Sequence, residues 1–314
     1  MWLKPYTDLH EFMKRIILYL AIAMAVMGTA SCDNQTENQK KTFGLIIGTR
    51  SAYWEKVRQG ALDEGDKLGY NVIVYNYPSD TAYNEIAAYI KSLNSFDGLA
   101  GVAGLANEER IDAAYGTLRE DISIVVAEGV FIEGGAVEER YNGTVALDYG
   151  EYAAAFTDSI PESELIVISY DKGANAEIAS MISRIKGSAN VTVCPVGDQG
   201  DVPSVLSRAL EMHPQAQAVI FCSSNFVNDS NLSLCGERTV YSSDLNAAVV
   251  PAITDGRISL NISIDNYEFG ANMVRALAEI ESHKNSKSIV KYDIPYIFTG
   301  KWNISSPERK RLYE

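Results

Sequence analysis

Two aromatic residues, Tyr53 and Trp54, stand side by side directly after the polar turn Thr49-Arg50-Ser51. Aromatic rings stack on flat apolar ligand faces, and a guanidinium such as Arg50 forks onto vicinal hydroxyls or a carboxylate. Ser51 adds a hydroxyl at the same place. The competing reading is packing, with the two rings forming the apolar side of the helix that starts here; it suits Trp54 better than Tyr53.

Other reactive types are sparse. The histidines are His10, His213 and His283. His213 precedes a proline and His283 sits in a basic turn, so neither reads as a general base, and a histidine-rich metal site is excluded. GLIIGTR lacks the G-x-G-x-x-G dinucleotide turn, and neither a G-x-x-x-x-G-K-[ST] loop nor a G-x-S-x-G elbow occurs. No cofactor is expected. Cys222 and Cys235 lie thirteen apart across a short polar loop and are the expected disulfide partners in an exported chain; three buried thiols, with Cys194, are the alternative.

The amino-terminal stretch bears on export. Lys14 and Arg15 precede the apolar run Ile16 to Met27, too short to span a bilayer, and small residues 28–31 lead to Cys32. This is the pattern of a secretory signal over residues 1–31, and Met13 begins a complete signal of its own. Thr29-Ala30-Ser31-Cys32 resembles a bacterial lipobox, which implies lipidation at Cys32. Thr29 stands where leucine is usual, and cleavage near Ala30 of a plain signal is the alternative. Residues 32–41 are polar and suit a tether.

The chain of 314 residues carries a formal charge of −14; the signal holds a net +1, so the remainder sits near −15. Without a basic stripe, nucleic acid is not an expected partner. An anionic ligand would need local positive charge, so a neutral or cationic one is expected.

A scaffold must position these residues. Phe43 to Ile47 is too short and apolar for anything but a strand buried on both faces. Trp54, Val57, Ala61, Gly65 and Leu68 follow at helical spacing, Gly69 stops the helix, and Asn71 to Tyr75 is a second strand. The turn carrying Tyr53 and Trp54 therefore lies at the carboxyl end of a strand, where open parallel sheets bind ligands. Strand and helix alternate about nine or ten times, with strands at residues 99–103, 122–127, 144–147, 165–169, 191–194, 218–222, 239–242 and 258–264. Longer helices are expected at 107–118, 174–186, 202–212, 245–255 and 267–282, and residues 289–298 give one or two closing strands. The order restarts near residue 148. The class is α/β with two doubly wound parallel-sheet lobes; a closed (β/α)₈ barrel is the rival, weakened by the excess of units.

From residue 42 to about 303 the chain resembles the type I periplasmic sugar-binding proteins and the ligand-binding cores of LacI-type repressors. The resemblance rests on the opening strand with Tyr53, Trp54 and Gly60, on KLGYNVIVYN, FDGLAGVAG, ISIVVAEG and TVALDYGEYA, and above all on TVYSSDLNAAVVPAITDGRISLNISIDNYEFGANMVRAL. It implies three hinge crossings, near Leu147-Asp148, Ile264-Asp265 and Ser286–Ile289. The first lobe would be 42–147 plus 266–287 and the second 148–265 plus 288–314. A signal, rather than a helix-turn-helix, precedes the domain, which favours a binding protein over a repressor.

The same resemblance implies a site in which aromatics sandwich a sugar ring and Asp, Asn and Arg clamp its hydroxyls. Tyr53 and Trp54 would stack, Arg50 and Ser51 flank them, and Glu128 and Asp244 accept from hydroxyls at strand ends. Asp171 and Asn175 would serve after the second lobe's first strand, where the family's arginine is missing. Ser223 or Asn225 would follow the strand ending at Cys222, and Asp265 would bind ligand or brace the hinge. The clamp departs from the ribose and galactose pattern. The expected function is an exported, lipid-anchored protein closing on a small sugar-like ligand for an ABC-type importer or a membrane sensor. The alternatives are a module for protein contacts without a sugar, and an enzyme acting on a glycoside.

Overall fold

Apolar runs of four to six residues recur along the chain between amphipathic helices, and each becomes a strand. The computed structural model describes residues 40–314 apart from 49–50, 77–82, 103–108, 128–134, 198–199 and 284–287. Strand β1 (Thr42–Ile47) is buried from Phe43 onward. Helix α1 (Ala52–Leu68) starts where Ser51 Oγ accepts the Trp54 N–H at 3.3 Å, and stops at Gly69, whose φ of +80° reverses the chain into β2 (Asn71–Asn76). Strands β3 (Gly98–Val102), β4 (Ser123–Ala127) and β5 (Gly143–Ala146) follow, with α2 (Tyr83–Ser92), α3 (Glu109–Tyr115) and α4 (Ala136–Arg140) between them.

Beyond β5 the pattern begins again. Helix α5 (Tyr149–Asp158), β6 (Leu165–Tyr170), α6 (Ala174–Lys186), β7 (Val191–Val196), α7 (Val202–Met212) and β8 (Ala218–Phe221) alternate in order. Then come α8 (Asp229–Leu234), β9 (Thr239–Ser243), α9 (Val250–Thr254), β10 (Leu260–Ile264) and the long α10 (Asn266–Ser282). Strands β11 (Val290–Asp293) and β12 (Tyr296–Thr299) and a terminal helix α11 (Pro307–Tyr313) complete the chain.

The strands form two six-stranded sheets, ordered β2-β1-β3-β4-β5-β11 and β7-β6-β8-β9-β10-β12. Every pairing is parallel except β12 against β10. Helices cover both faces of each sheet: Ile46, Ile124 and Val126 face α2 and α3, while Phe43, Leu45 and Val125 face α1 and α10. Two open doubly wound sheets, not a closed barrel, are the result.

Three segments join the lobes. Asp148 caps α5 after β5, and Asp265 caps α10 after β10, each through an Oδ1 accepting a first-turn N–H. The third crossing falls at Ile294-Pro295. This corrects the expected crossing at Ser286–Ile289 and moves the end of the first lobe's second segment from 287 to 293. The cause is strand pairing: Val290 to Asp293 extends the first sheet beside β5 before the chain leaves it. At the hinge, the Ile294 N–H donates to the Ala146 carbonyl at 2.9 Å, and the Asp265 N–H to the Pro295 carbonyl at 2.8 Å.

Two glycines set how closely α1 and α10 cross. A Cβ on Gly60 would sit 1.9 Å from the Tyr267 carbonyl oxygen, and one on Gly270 would sit 1.8 Å from that of Val57. Arg275 of α10 clamps the same pair of helices, forking onto buried Glu64 at 2.9 and 3.1 Å and reaching Glu268 at 2.7 Å. That guanidinium holds the Glu64 carboxyl below the usual range.

The expected disulfide does not form: Cys194, Cys222 and Cys235 are free thiols. Cys222 continues the face of β8 that carries Ala218 and Ile220, whereas Cys235 packs with Val219 and Phe221 on the opposite face. The sheet lies between them. Burial pushes the Cys222 thiol up to about 12 and that of Cys235 to about 11, so both stay protonated.

Candidate functional site

The amino end of α1 forms one wall of a cleft of about 440 Å³ between the lobes. This volume is ordinary for a small-molecule site. Ser51 spends its hydroxyl on the cap and still borders the cleft, beside Ala52 and Tyr53. One turn on, Lys56 lines the same wall. Trp54 turns the other way. Its indole lies over the backbone of Gly48, where an added Cβ would come within 2.1 Å of Nε1, and its ring is 6.1 Å from Phe269 of α10. Of the two neighbouring rings, edge to face at 4.8 Å, Tyr53 borders the cleft and Trp54 supports it from below.

The facing wall comes from the carboxyl ends of β8, β9 and β10. After β9, Asp244 adopts φ +62°, the single positive φ among the described residues other than glycine. Such a conformation is held by its surroundings. Asn261 donates to the Asp244 carbonyl at 3.2 Å and to Ser242 Oγ at 2.8 Å, fixing the turn from the neighbouring strand. The Asp244 carboxylate accepts the Ser224 backbone N–H, yet burial dominates and lifts its pKa from 3.8 to about 6. Asn246 donates to Ser224 Oγ at 2.8 Å and Asn225 donates to the Tyr170 hydroxyl at 3.1 Å, so the strand ends are cross-braced.

At the floor of the cleft two buried polar groups stand unused. Ser263, 2% exposed, and Asn266, 5% exposed, both line it. Ser263 Oγ and Asn266 Oδ1 have no hydrogen-bond partner among the described residues. Buried polar atoms are normally satisfied, and leaving one unmade costs about 1–3 kcal/mol. Leu312 and Tyr313 of α11 close the cleft on one side. Arg311 of that helix ties it down, pairing with Asp265 at 2.7 Å and lying 4.7 Å over the ring of Tyr267, whose hydroxyl donates to Asp63 of α1 at 2.8 Å.

The cleft thus brings together Ser51, Tyr53, Asn225 and Asp244 from the expected set. Ser223 is buried, with its Oγ accepting the Asn225 N–H at 3.3 Å, so it shapes the turn that presents Asn225. Asp265 is committed to the α10 cap and to Arg311. Asp171 is exposed and borders a separate shallow depression with Arg184; Asn175, in the first turn of α6, does not line the cleft. Arg50, Glu128 and Cys32 lie outside the described residues. Lys56, Ser263, Asn266 and α11 were not anticipated. Lys56 was legible, since it lies three residues after Tyr53 on one helix, and Ser306-Pro307-Glu308 is a helix start. Ser263 and Asn266 gave no comparable signal. Among the described residues, no group of three His, Cys, Asp or Glu side chains could hold a metal, and no helix is long and apolar enough to cross a membrane.

No family model matches the chain, and no curated protein matches it in sequence. Solved structures do match in fold. An ABC transporter solute-binding protein from Burkholderia graminis C4D1M, in complex with D-arabinose, is 14% identical at a TM-score of 0.68, over 87% of this chain and 99% of its own. A periplasmic ribose ABC transporter protein from Conexibacter woesei DSM 14684 is 15% identical at a TM-score of 0.68, over 87% and 97%. An ABC transporter solute-binding protein from Agrobacterium vitis with bound D-fucose is 15% identical at a TM-score of 0.64, over 87% and 100%. The architecture is that of the type I periplasmic sugar-binding proteins.

Proposed function

We propose that this chain, built on the type I periplasmic binding fold, is an exported solute-binding protein whose lobes close on a small sugar-like ligand. The observation that carries the reading is the interlobe cleft with Asp244 on its strained turn and Ser263 and Asn266 buried without partners. A polyhydroxylated ligand satisfies such groups and offers a face for Tyr53. The fold neighbours named with D-arabinose and D-fucose are in keeping with it. Closure follows from differential contact: a ligand touching α1 on one side and the ends of β8 to β10 on the other stabilises the closed arrangement by the contacts it gains there. An ABC-type importer or a membrane sensor would read the closed surface. The role is binding rather than turnover.

Thermal unfolding of the chain against monosaccharides, oligosaccharides, nucleosides and polyols tests the reading. A ligand at a hundred times its Kd adds about 2.7 kcal/mol, which moves the midpoint by several degrees or less. A hit whose shift Asp244→Asn cuts by about half, as a tenfold loss of affinity requires, supports the cleft; a flat panel with folded protein favours the protein-contact module. Lipid anchoring through Cys32 is part of the same proposal. Cys32→Ser is expected to move the protein from the membrane to the soluble fraction on ultracentrifugation, and continued sedimentation with membranes counts against it.

A further inference from the structure

The cleft is electrically lopsided. Among its described lining residues Lys56 is the one cation and Asp244 the one carboxylate, and they stand on opposite walls. Lys56 pairs with no carboxylate among the described residues, although the chain as a whole is strongly acidic. It lies on the first turns of a 17-residue helix whose amino end opens on the same wall. Two of that helix's first-turn donors are already engaged, Trp54 N–H with Ser51 Oγ and Glu55 N–H with the Ser51 carbonyl. The Ala52 N–H at the cleft margin has no partner among the described residues. A helix amino end with a lysine one turn in favours negative charge. The floor and the opposite wall offer what hydroxyls need: the buried, unpartnered Asn266 Oδ1 and Ser263 Oγ, and the Asp244 carboxylate.

Resting on the sugar-binding reading above, we propose that the cleft selects an acidic monosaccharide, a uronate, with its carboxylate toward Lys56 and the Ala52 N–H. Its ring hydroxyls meet Asn266, Ser263 and Asp244. The reverse orientation would set the ligand's carboxylate against Asp244, so the two walls fix polarity as well as class. This departs from the neutral or cationic ligand that net charge alone suggests.

Isothermal titration calorimetry of the full chain, purified from the cell envelope, tests this with D-galacturonate and D-glucuronate beside D-galactose and D-glucose. At least one uronate is expected to bind about tenfold or more tightly than its neutral parent, with affinity falling as salt is raised. Lys56→Gln should lose about tenfold for the uronate and little for a neutral sugar, while Lys56→Arg retains binding. A neutral parent binding as tightly as its uronate, or Lys56→Gln weakening both equally, overturns the acidic-sugar proposal and leaves sugar binding intact. No heat with either class, from protein whose unfolding remains cooperative, overturns both.

Discussion

At the scale of single residues, Asp244 carries the most consequence. Burial raises its pKa from 3.8 to about 6, so the folded state holds this proton more tightly than the unfolded chain. Such a group favours folding while protonated: its contribution is complete below about pH 4 and is lost as pH rises through 6. The ligand-free protein therefore gives up roughly 2–3 kcal/mol at neutral pH to keep a carboxylate in the cleft. Asp244→Asn is expected to raise stability in urea at pH 7.5 by about that amount, with the gain fading toward pH 4, because asparagine also tolerates positive φ. Equal stabilisation at both pH values would mean that the carboxylate's burial is not the cause. The same variant should bind ligand about tenfold more weakly, having lost a charged acceptor. Asp244 was legible because an acid directly after a strand stands at the ligand-binding end of a parallel sheet. Trp54 was misleading for an equally physical reason: at the start of an amphipathic helix, packing and stacking residues look alike. Only the bare backbone of Gly48 decides between them, since the indole occupies the space a side chain there would need.

At the scale of elements, the α1–α10 crossing and α11 matter most. Gly270 lets α10 lie directly on the Val57 carbonyl, so a methyl group there must force the helices apart. Gly270→Ala is expected to cost about 3 kcal/mol or prevent folding, read from the urea midpoint; a loss within 0.5 kcal/mol would contradict the close approach. Arg311 reaches out of α11 to a buried carboxylate at the hinge. Arg311→Ala should cost about 2 kcal/mol, less than a fully buried pair because the guanidinium is partly exposed. An unchanged denaturation midpoint would show that Asp265 is satisfied by its cap alone. Strands and long helices were readable because each obeys a single period over many residues. Helices such as α9 and α11 span one or two turns, too few for a period to establish itself, and the stretch expected as a helix over 245–255 forms only Val250–Thr254. The edge strand β11 was placed in the wrong lobe because a four-residue run alternating in exposure fits either sheet; its pairing with β5 is a long-range fact.

At the scale of the molecule, two sheets of the same winding are joined by three strand-end crossings, and motion between them is the expected response to ligand. Small-angle X-ray scattering should show the radius of gyration falling when a bound sugar is added to the parent, with Asp244→Asn needing about tenfold more sugar for the same fall; no change in the parent, with binding established by calorimetry, would rule out closure. The path of the chain through those crossings has a consequence for assembly. Apart from β12 and α11, the second lobe is one uninterrupted stretch, residues 149–264, while α10 and β11 return afterwards to finish the first lobe. The earliest part of the chain to be made therefore stays incomplete until most of the second lobe has emerged. Until residue 293 is available, the flank of β5 lacks a neighbour, and the face holding Phe43, Val125 and Val145 lacks the helix that carries Phe269, Met273 and Leu277. A growing chain exposes that one apolar face for the whole time the second lobe takes to emerge, which makes it the surface a holding chaperone has to shield.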